Sequence, residues 1–438
     1  MTRPNGNGAG DGFCGGEKCP AARECGACQH VNEPYEEQLR RKDRAMADLF
    51  ADLAPQGALE PIIGMDNPYH YRNKVMSPFA PGRKLADAPD ARRGRRSGRG
   101  YSPDGRVRKS GAGKAGRASA PRREILCGMY AAHSHRIIDT SCCLVENEDA
   151  KRVVRAVRGL MGKFGISPYD EDRGTGFMRH AVIRVGHESG EVLVTLVTNG
   201  PEFPGSKAFC RELVKRCPFV TTVVQNVNER QTNVVLGQRE QTLYGPGFIL
   251  DRLCGLSFRI SSQSFYQVNA VQTEVLYRTA VGLANLTGTE TAIDAYCGTG
   301  TIGLVAAQAG AARVIGVDSV ASSIRDARQN AAHNGIENAR FETADAGEFM
   351  RELAARGERA DVLLMDPPRA GSSEEFLDAA CELAPSRIVY ISCNPATQVR
   401  DLQRLARAGY AVRAVKPVDM FPHTDHIESV VLAQRVGA

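Results

Sequence analysis

The run Thr291-Ala292-Ile293-Asp294-Ala295-Tyr296-Cys297-Gly298-Thr299-Gly300-Thr301-Ile302-Gly303-Leu304 reads as a short apolar strand that turns through glycines into a helix. Gly298 and Gly300 permit a tight turn and let a ligand come close to the backbone. A G-x-G turn alone is shared by many nucleotide-binding and non-binding loops. The next apolar run, Arg313-Val314-Ile315-Gly316-Val317-Asp318, ends in an acid 24 residues after Asp294, where a carboxylate suits ribose hydroxyls. These two features alone leave a nicotinamide dinucleotide open. From about Ile260 onward the rhythm of strand, short loop and helix continues to the C-terminus. That rhythm predicts a doubly wound α/β domain with ligands at the carboxyl ends of its strands.

Two later strand ends carry the chemistry. Ala360-Asp361-Val362-Leu363-Leu364-Met365-Asp366-Pro367-Pro368-Arg369-Ala370-Gly371 closes a strand with an acid and two prolines, a rigid turn that presents a polar side chain to the cleft. Arg387-Ile388-Val389-Tyr390-Ile391-Ser392-Cys393-Asn394-Pro395 places a cysteine at the next strand end, where a lowered thiol pKa would make a nucleophile. Asp419-Met420-Phe421-Pro422-His423-Thr424-Asp425-His426-Ile427-Glu428 leads into a last apolar strand, and a carboxylate there must be desolvated or paired, either of which tunes a general base. The plainer readings are a surface acid for Asp425, core or capping histidines at 423 and 426, and an ion-paired Glu428. Cys210, Cys217, Cys254, Cys297 and Cys381 are expected to be buried apolar residues.

The remaining chain divides into a Cys-rich segment with a helix (1–59) and a central mixed α+β region (60–258), ahead of the α/β domain (259–438). The first helix is predicted from Pro34 to Leu53 with Leu39, Met46, Leu49, Phe50 and Leu53 on one side. Residues 82–123 read as a basic, disordered insertion between two strands. Of the net charge of +6, a local +11 falls between Arg83 and Arg123, which leaves −5 on the rest. The insertion is thus a candidate polycationic arm for RNA phosphates or a plain solvated loop. No apolar run approaches the roughly 20 residues of a membrane helix, and the polar, Gly-rich N-terminus lacks a secretory apolar core, so a cytoplasmic protein is expected. Thirteen cysteines in a reducing compartment argue for metal ligation, catalysis or burial rather than a disulfide scaffold. Cys19, Cys25 and Cys28 form C-x5-C-x2-C, one ligand short of a tetrahedral site, with Cys14, Cys142 and Cys143 as candidates for the fourth. Spacing alone leaves zinc and a four-iron cluster open.

Together, Ser264-Phe265-Tyr266-Gln267-Val268-Asn269, Asp294 to Gly300, Asp366 to Gly371, Ser392-Cys393-Asn394-Pro395-Ala396-Thr397 and Asp419 to Glu428 resemble the RNA uracil-C5 (5-methyluridine) methyltransferase family, in family order over the last 175 or so residues. The resemblance implies a Rossmann-like methyltransferase domain, preceded by a smaller mixed α+β domain, and transfer of a methyl group from S-adenosylmethionine to uridine C5 in RNA. It implies Cys393 as nucleophile, Glu428 as base, and Gln267, Tyr296, Asp318 and Asp366 as cofactor contacts. Tyr266, Phe265 and Arg369 are the candidates to support an unstacked base. The same resemblance implies a [4Fe–4S] cluster on Cys19, Cys25, Cys28 and Cys143. Members that carry the cluster point to 23S ribosomal RNA as substrate, with transfer RNA as the alternative, and a monomer is expected. Only 18 residues precede Cys19, so the small RNA-binding β-barrel with which many members begin is expected to be absent. Amino-methylating enzymes carry a related Pro-Pro turn followed by an aromatic residue. Arg369 stands in that place here, which counts against them.

Overall fold

The computed structural model describes residues 18–84, 123–132 and 134–437. Most of the basic segment and Cys14 therefore lie outside the described residues. The two ends of that segment are paired: strand Lys74–Lys84 runs antiparallel to Arg123–Cys127, with Lys84 opposite Arg123. The insertion is thus carried by a hairpin.

The C-terminal half is the expected doubly wound sheet. Thr291–Ala295 is the middle of its five parallel strands, flanked on one side by Arg313–Asp318 and Ala339–Thr343 and on the other by Val362–Met365 and Arg387–Ser392. Glu428–Arg435 then inserts antiparallel between Arg387–Ser392 and the edge strand Tyr410–Val418. Residues along each strand alternate between two apolar layers. Val314, Leu364 and Ile391 pack with helices Ala270–Ala284, Thr301–Gln308 and Ala321–His333. Ile315, Leu363 and Tyr390 pack on the other face with Ala346–Ala355, Glu374–Leu383, Pro395–Arg407 and the N-terminal helix Tyr35–Phe50.

The central region is a second sheet, in which Lys74–Lys84, Met178–Val185 and Val192–Thr198 pair antiparallel. Val220–Val227 joins it parallel to Val192–Thr198 after a crossover through helix Ser206–Arg216. Helices Glu148–Phe164 and Ser206–Arg216 cover its apolar face. The hairpin Ile249–Leu253 and Leu256–Ile260 packs into the same core layer as the C-terminal sheet.

The N-terminal segment buries Met46 and Phe50 and packs Leu39 and Leu53 on the core as read, and departs from the sequence reading at Leu49. The buried stripe of its helix is Gln38, Lys42, Met46 and Phe50, whereas Leu49 is 39% exposed. Two polar residues are buried because their partners come from residues 419–423. Lys42 Nζ meets the Asp419 carboxylate at 2.7 Å, with both side chains out of solvent, and Tyr35 donates to Asp419 at 2.8 Å. Gln38 accepts the His423 N–H at 3.0 Å and meets His423 Nδ1 at 3.2 Å. Removing one partner of a buried ion pair leaves an uncompensated charge. Asp419→Ala is therefore expected to destabilise the protein by about 3–5 kcal/mol, measurable as a lowered urea midpoint.

Candidate active site

One cleft of about 740 Å³ at the carboxyl ends of the parallel strands gathers Gln267, Tyr296, Asp318, Asp366, Cys393 and Glu428. Its cofactor side is the turn after Thr291–Ala295. Tyr296, Gly298 and Gly300 all have positive φ (63°, 54° and 80°), a conformation natural only to the glycines. Tyr296 is held in it by its ring, 4.9 Å from Phe376, and by a long contact from its hydroxyl to Ser372. Asp318 fastens the turn: one carboxylate oxygen accepts the Gly298 N–H at 3.0 Å and the other the Val320 N–H at 2.8 Å. Asp294 lies beneath it and accepts the Gly303 N–H at 2.8 Å, while its second oxygen is buried without a partner. A Cβ at Gly303 would come within 2.7 Å of that carboxylate, so the close helix approach requires glycine there.

The reactive side follows from strand register. Ser392 pairs with Ser429, so the next residue out on each antiparallel strand brings Cys393 opposite Glu428. Cys393 occupies a strand-to-helix turn just before helix Pro395–Arg407. Ser392 Oγ bridges this turn by accepting the Asn394 N–H at 3.1 Å, and Asn394 Nδ2 donates to the Arg369 carbonyl at 3.1 Å. Arg400 and Asp401, on the same helix, reach the Ala370 carbonyl and the Ser372 N–H at 3.0 and 2.9 Å. One helix thus locks the cysteine turn to the Asp-Pro-Pro turn.

The cleft is rich in uncompensated acid. Glu428 is 4% exposed and has no hydrogen-bond or ion-pair partner among the described residues, so its ion-paired reading does not hold. Burial, then Asp366, push its carboxyl up to about 8. Burial also pushes Asp366 up to about 7, and burial chiefly raises Asp294 to about 8. Burial raises the Cys393 thiol too, Glu428 and Asp366 add to that, and its backbone N–H and Arg369 oppose them. Such a cleft favours a cationic ligand, because positive charge stabilises carboxylate and thiolate alike.

The plainer readings resolve case by case. His423 is a core histidine: Nε2–H donates to the Pro68 carbonyl at 3.0 Å and the ring stacks on Tyr69. His426 instead is exposed and lines the cleft. Asp425 accepts from His30 Nε2 at 2.7 Å, so this exposed acid helps hold the 419–428 segment to the N-terminal one. Cys210, Cys217, Cys254 and Cys297 are buried as expected, Cys381 is partly buried, and Cys297 also contributes to the cleft. All three candidates to support a base line the cleft: Tyr266 is buried and packs into the core, Arg369 lies at the Pro-Pro turn, and Phe265 stands 75% exposed. Arg72, Ala27 and Thr424 also line the cleft and had no distinguishing signal in the sequence.

Cys19, Cys25, Cys28, Cys142 and Cys143 line a second cavity of about 330 Å³, which shares Ala27, Arg72, Val268 and Thr424 with the cleft. Burial, then the neighbouring Cys143, Cys25 and Cys19, push the Cys28 thiol up to about 12. Among the described residues no three His, Cys, Asp or Glu side chains are arranged to hold a single metal ion.

A doubly wound sheet with an acidic, glycine-turned cleft and a cysteine at a strand end is the architecture of a Rossmann-like methyltransferase. The family model for tRNA (uracil-5-)-methyltransferases matches residues 249–436. An uncharacterized RNA methyltransferase of Halalkalibacterium halodurans is 40% identical over 418 residues, 95% of this chain and 82% of that protein. One from Bacillus cereus is 38% identical over 421 residues, covering 96% and 83%. The fold also matches the Pyrococcus abyssi tRNA (uracil-54, C5)-methyltransferase in complex with S-adenosyl-L-homocysteine, with a TM-score of 0.68 at 24% identity over 91% of this chain and 83% of that one. The chain belongs to the RNA uracil-C5 methyltransferase family.

Proposed function

We propose that this protein methylates C5 of uridine in 23S ribosomal RNA, using S-adenosylmethionine, with Cys393 as nucleophile and Glu428 as base. The observation that carries the reading is the strand register that sets Cys393 opposite Glu428, in the cleft that also holds Asp366 and the Gly298 turn. Uracil C5 is a weak nucleophile, so the thiolate of Cys393 first adds to C6 and drives electron density onto C5. S-adenosylmethionine supplies the electrophilic methyl group, and its sulfonium and ammonium charges suit a cleft of unpaired carboxylates. Gln267, Tyr296, Asp318 and Asp366 contact it in this reading. Glu428 then takes the C5 proton, C5=C6 re-forms and the C6–S bond breaks.

The cysteine cavity belongs to the same reading. The four candidate donors are all free thiols and line one cavity. In this reading Cys19, Cys25, Cys28 and Cys143 would hold a [4Fe–4S] cluster, and Cys143 is favoured as fourth ligand because it is the cysteine that most raises the Cys28 thiol. The cluster would supply a structural tie there, joining the N-terminal segment to residues 139–146. Protein purified without oxygen is expected to hold about four iron atoms per chain with a visible charge-transfer band, and Cys143→Ala to lose both. Full iron content in that variant would remove Cys143 from the set.

The ribosomal substrate rests on resemblance to cluster-bearing members. A transfer RNA substrate is favoured instead by the description of the matching family and by the activity of the Pyrococcus protein. Mass-spectrometric mapping of 5-methyluridine in cells with and without the gene separates them. Loss of the mark at a 23S uridine is the expected result, and loss confined to transfer RNA would keep the chemistry and change the substrate.

A further inference from the structure

Beside the cleft the fold brings together three cations with no matching acid. Lys74 and Arg184 sit directly opposite each other on paired antiparallel strands, a placement in which like charges repel. The ladder continues through Asn73, whose carbonyl accepts the Val185 N–H at 2.9 Å, so Arg72 shares the face of Lys74. None of the three makes an ion pair among the described residues. Arg184 is only 5% exposed; its guanidinium donates to the Ser264 carbonyl, and its Nε is buried without a partner. Burial, then Arg184 and Arg72, pull the Lys74 ammonium down to about 8. Glu146 is the acid that Arg72 influences, and it makes no ion pair with any of the three among the described residues.

No carboxylate among the described residues pairs with these cations, and the negative charge nearest to Arg72 is that of the cysteine cavity and the cleft it borders. Arg72 faces both the cleft and the cysteine cavity, Lys74 lines that cavity, and Arg184 holds the residue before the exposed Phe265. We propose that Arg72 and Lys74, backed by Arg184, form a subsite for one phosphodiester of the RNA backbone next to the uridine drawn into the cleft. The proposal deepens the RNA reading and rests on it. A phosphate contact fixes register and carries no sequence information, so this subsite positions the strand while the cleft selects the base.

The test uses the full-length protein, its Lys74→Met and Arg72→Gln variants, and a 20-residue oligouridine probe followed by fluorescence anisotropy from 50 to 400 mM salt. Each variant is expected to weaken binding roughly 3- to 10-fold and to lower the slope of log K against log salt by about 0.7. Lys74→Met is also expected to raise Tm, since it removes a repelled charge; a purely structural lysine would do the reverse. Unchanged affinity and slope in both variants would overturn the proposal. So would lost iron with an unchanged slope, which would assign the cations to the cysteine cavity. A protein that shows the slope change yet methylates no RNA keeps the subsite and loses the proposed function.

Discussion

Glu428→Gln is expected to leave the protein covalently attached to RNA on a denaturing gel while turnover falls roughly 10²- to 10⁴-fold. Once C5 carries both a hydrogen and a methyl group, the Cys393 sulfur leaves C6 only as that hydrogen departs as a proton. The Glu428 carboxylate stands opposite Cys393 with no competing partner among the described residues, so the amide variant keeps the shape and loses the base. The charge state sets a pH signature. Burial and Asp366 hold the Glu428 carboxyl at about 8, so below that pH it is protonated and inactive as a base. Turnover of the native protein is expected to rise from pH 7 to 9; Glu428→Gln is expected to lose the part of that rise that belongs to Glu428 and to keep the part that follows ionisation of the Cys393 thiol. The same raised pKa favours the protonated native state between the ordinary carboxyl range and pH 8, so native stability falls across that window and the variant's falls less. Native-like turnover without an adduct would remove Glu428 from the reaction.

Cys393→Ala is expected to lose methyl transfer by on the order of 10⁴-fold or more and to form no adduct, because without addition at C6 the C5 carbon is too weakly nucleophilic. Cofactor binding, read by calorimetry, is expected to persist, since the Gly298 turn is fastened by Asp318 rather than by the cysteine. An enzyme that methylates an exocyclic amine through the Asp366-Pro367-Pro368 turn would keep its activity in this variant. The two chemistries therefore give opposite results from one substitution.

The C-terminal fold was legible because each strand, loop and helix carries its own local pattern, and Asp318, Asp366 and Cys393 all stand where an apolar strand run ends. The meeting of Cys393 with Glu428 was not legible. It depends on Glu428–Arg435 inserting antiparallel between Arg387–Ser392 and Tyr410–Val418, an order set by packing across the sheet. The N-terminal helix shows the same limit: an apolar stripe placed Leu49 inside, whereas Lys42 and Gln38 take the buried positions because Asp419 and His423 wait some 380 residues away. Arg72 lies in an ordinary strand-like stretch, and only the packing of the central sheet brings it to the cleft.

The central claim is addition of Cys393 to a uracil ring, and RNA substituted with 5-fluorouridine tests it most directly. Fluorine cannot leave C5 as a cation, so the base step cannot occur and the methylated adduct must accumulate. Mass spectrometry of the digested complex is expected to find the Cys393 peptide linked to a nucleotide that carries both the fluorine and one added methyl group. A complex attached elsewhere, or a methylated RNA product released with no linked peptide, would contradict the account.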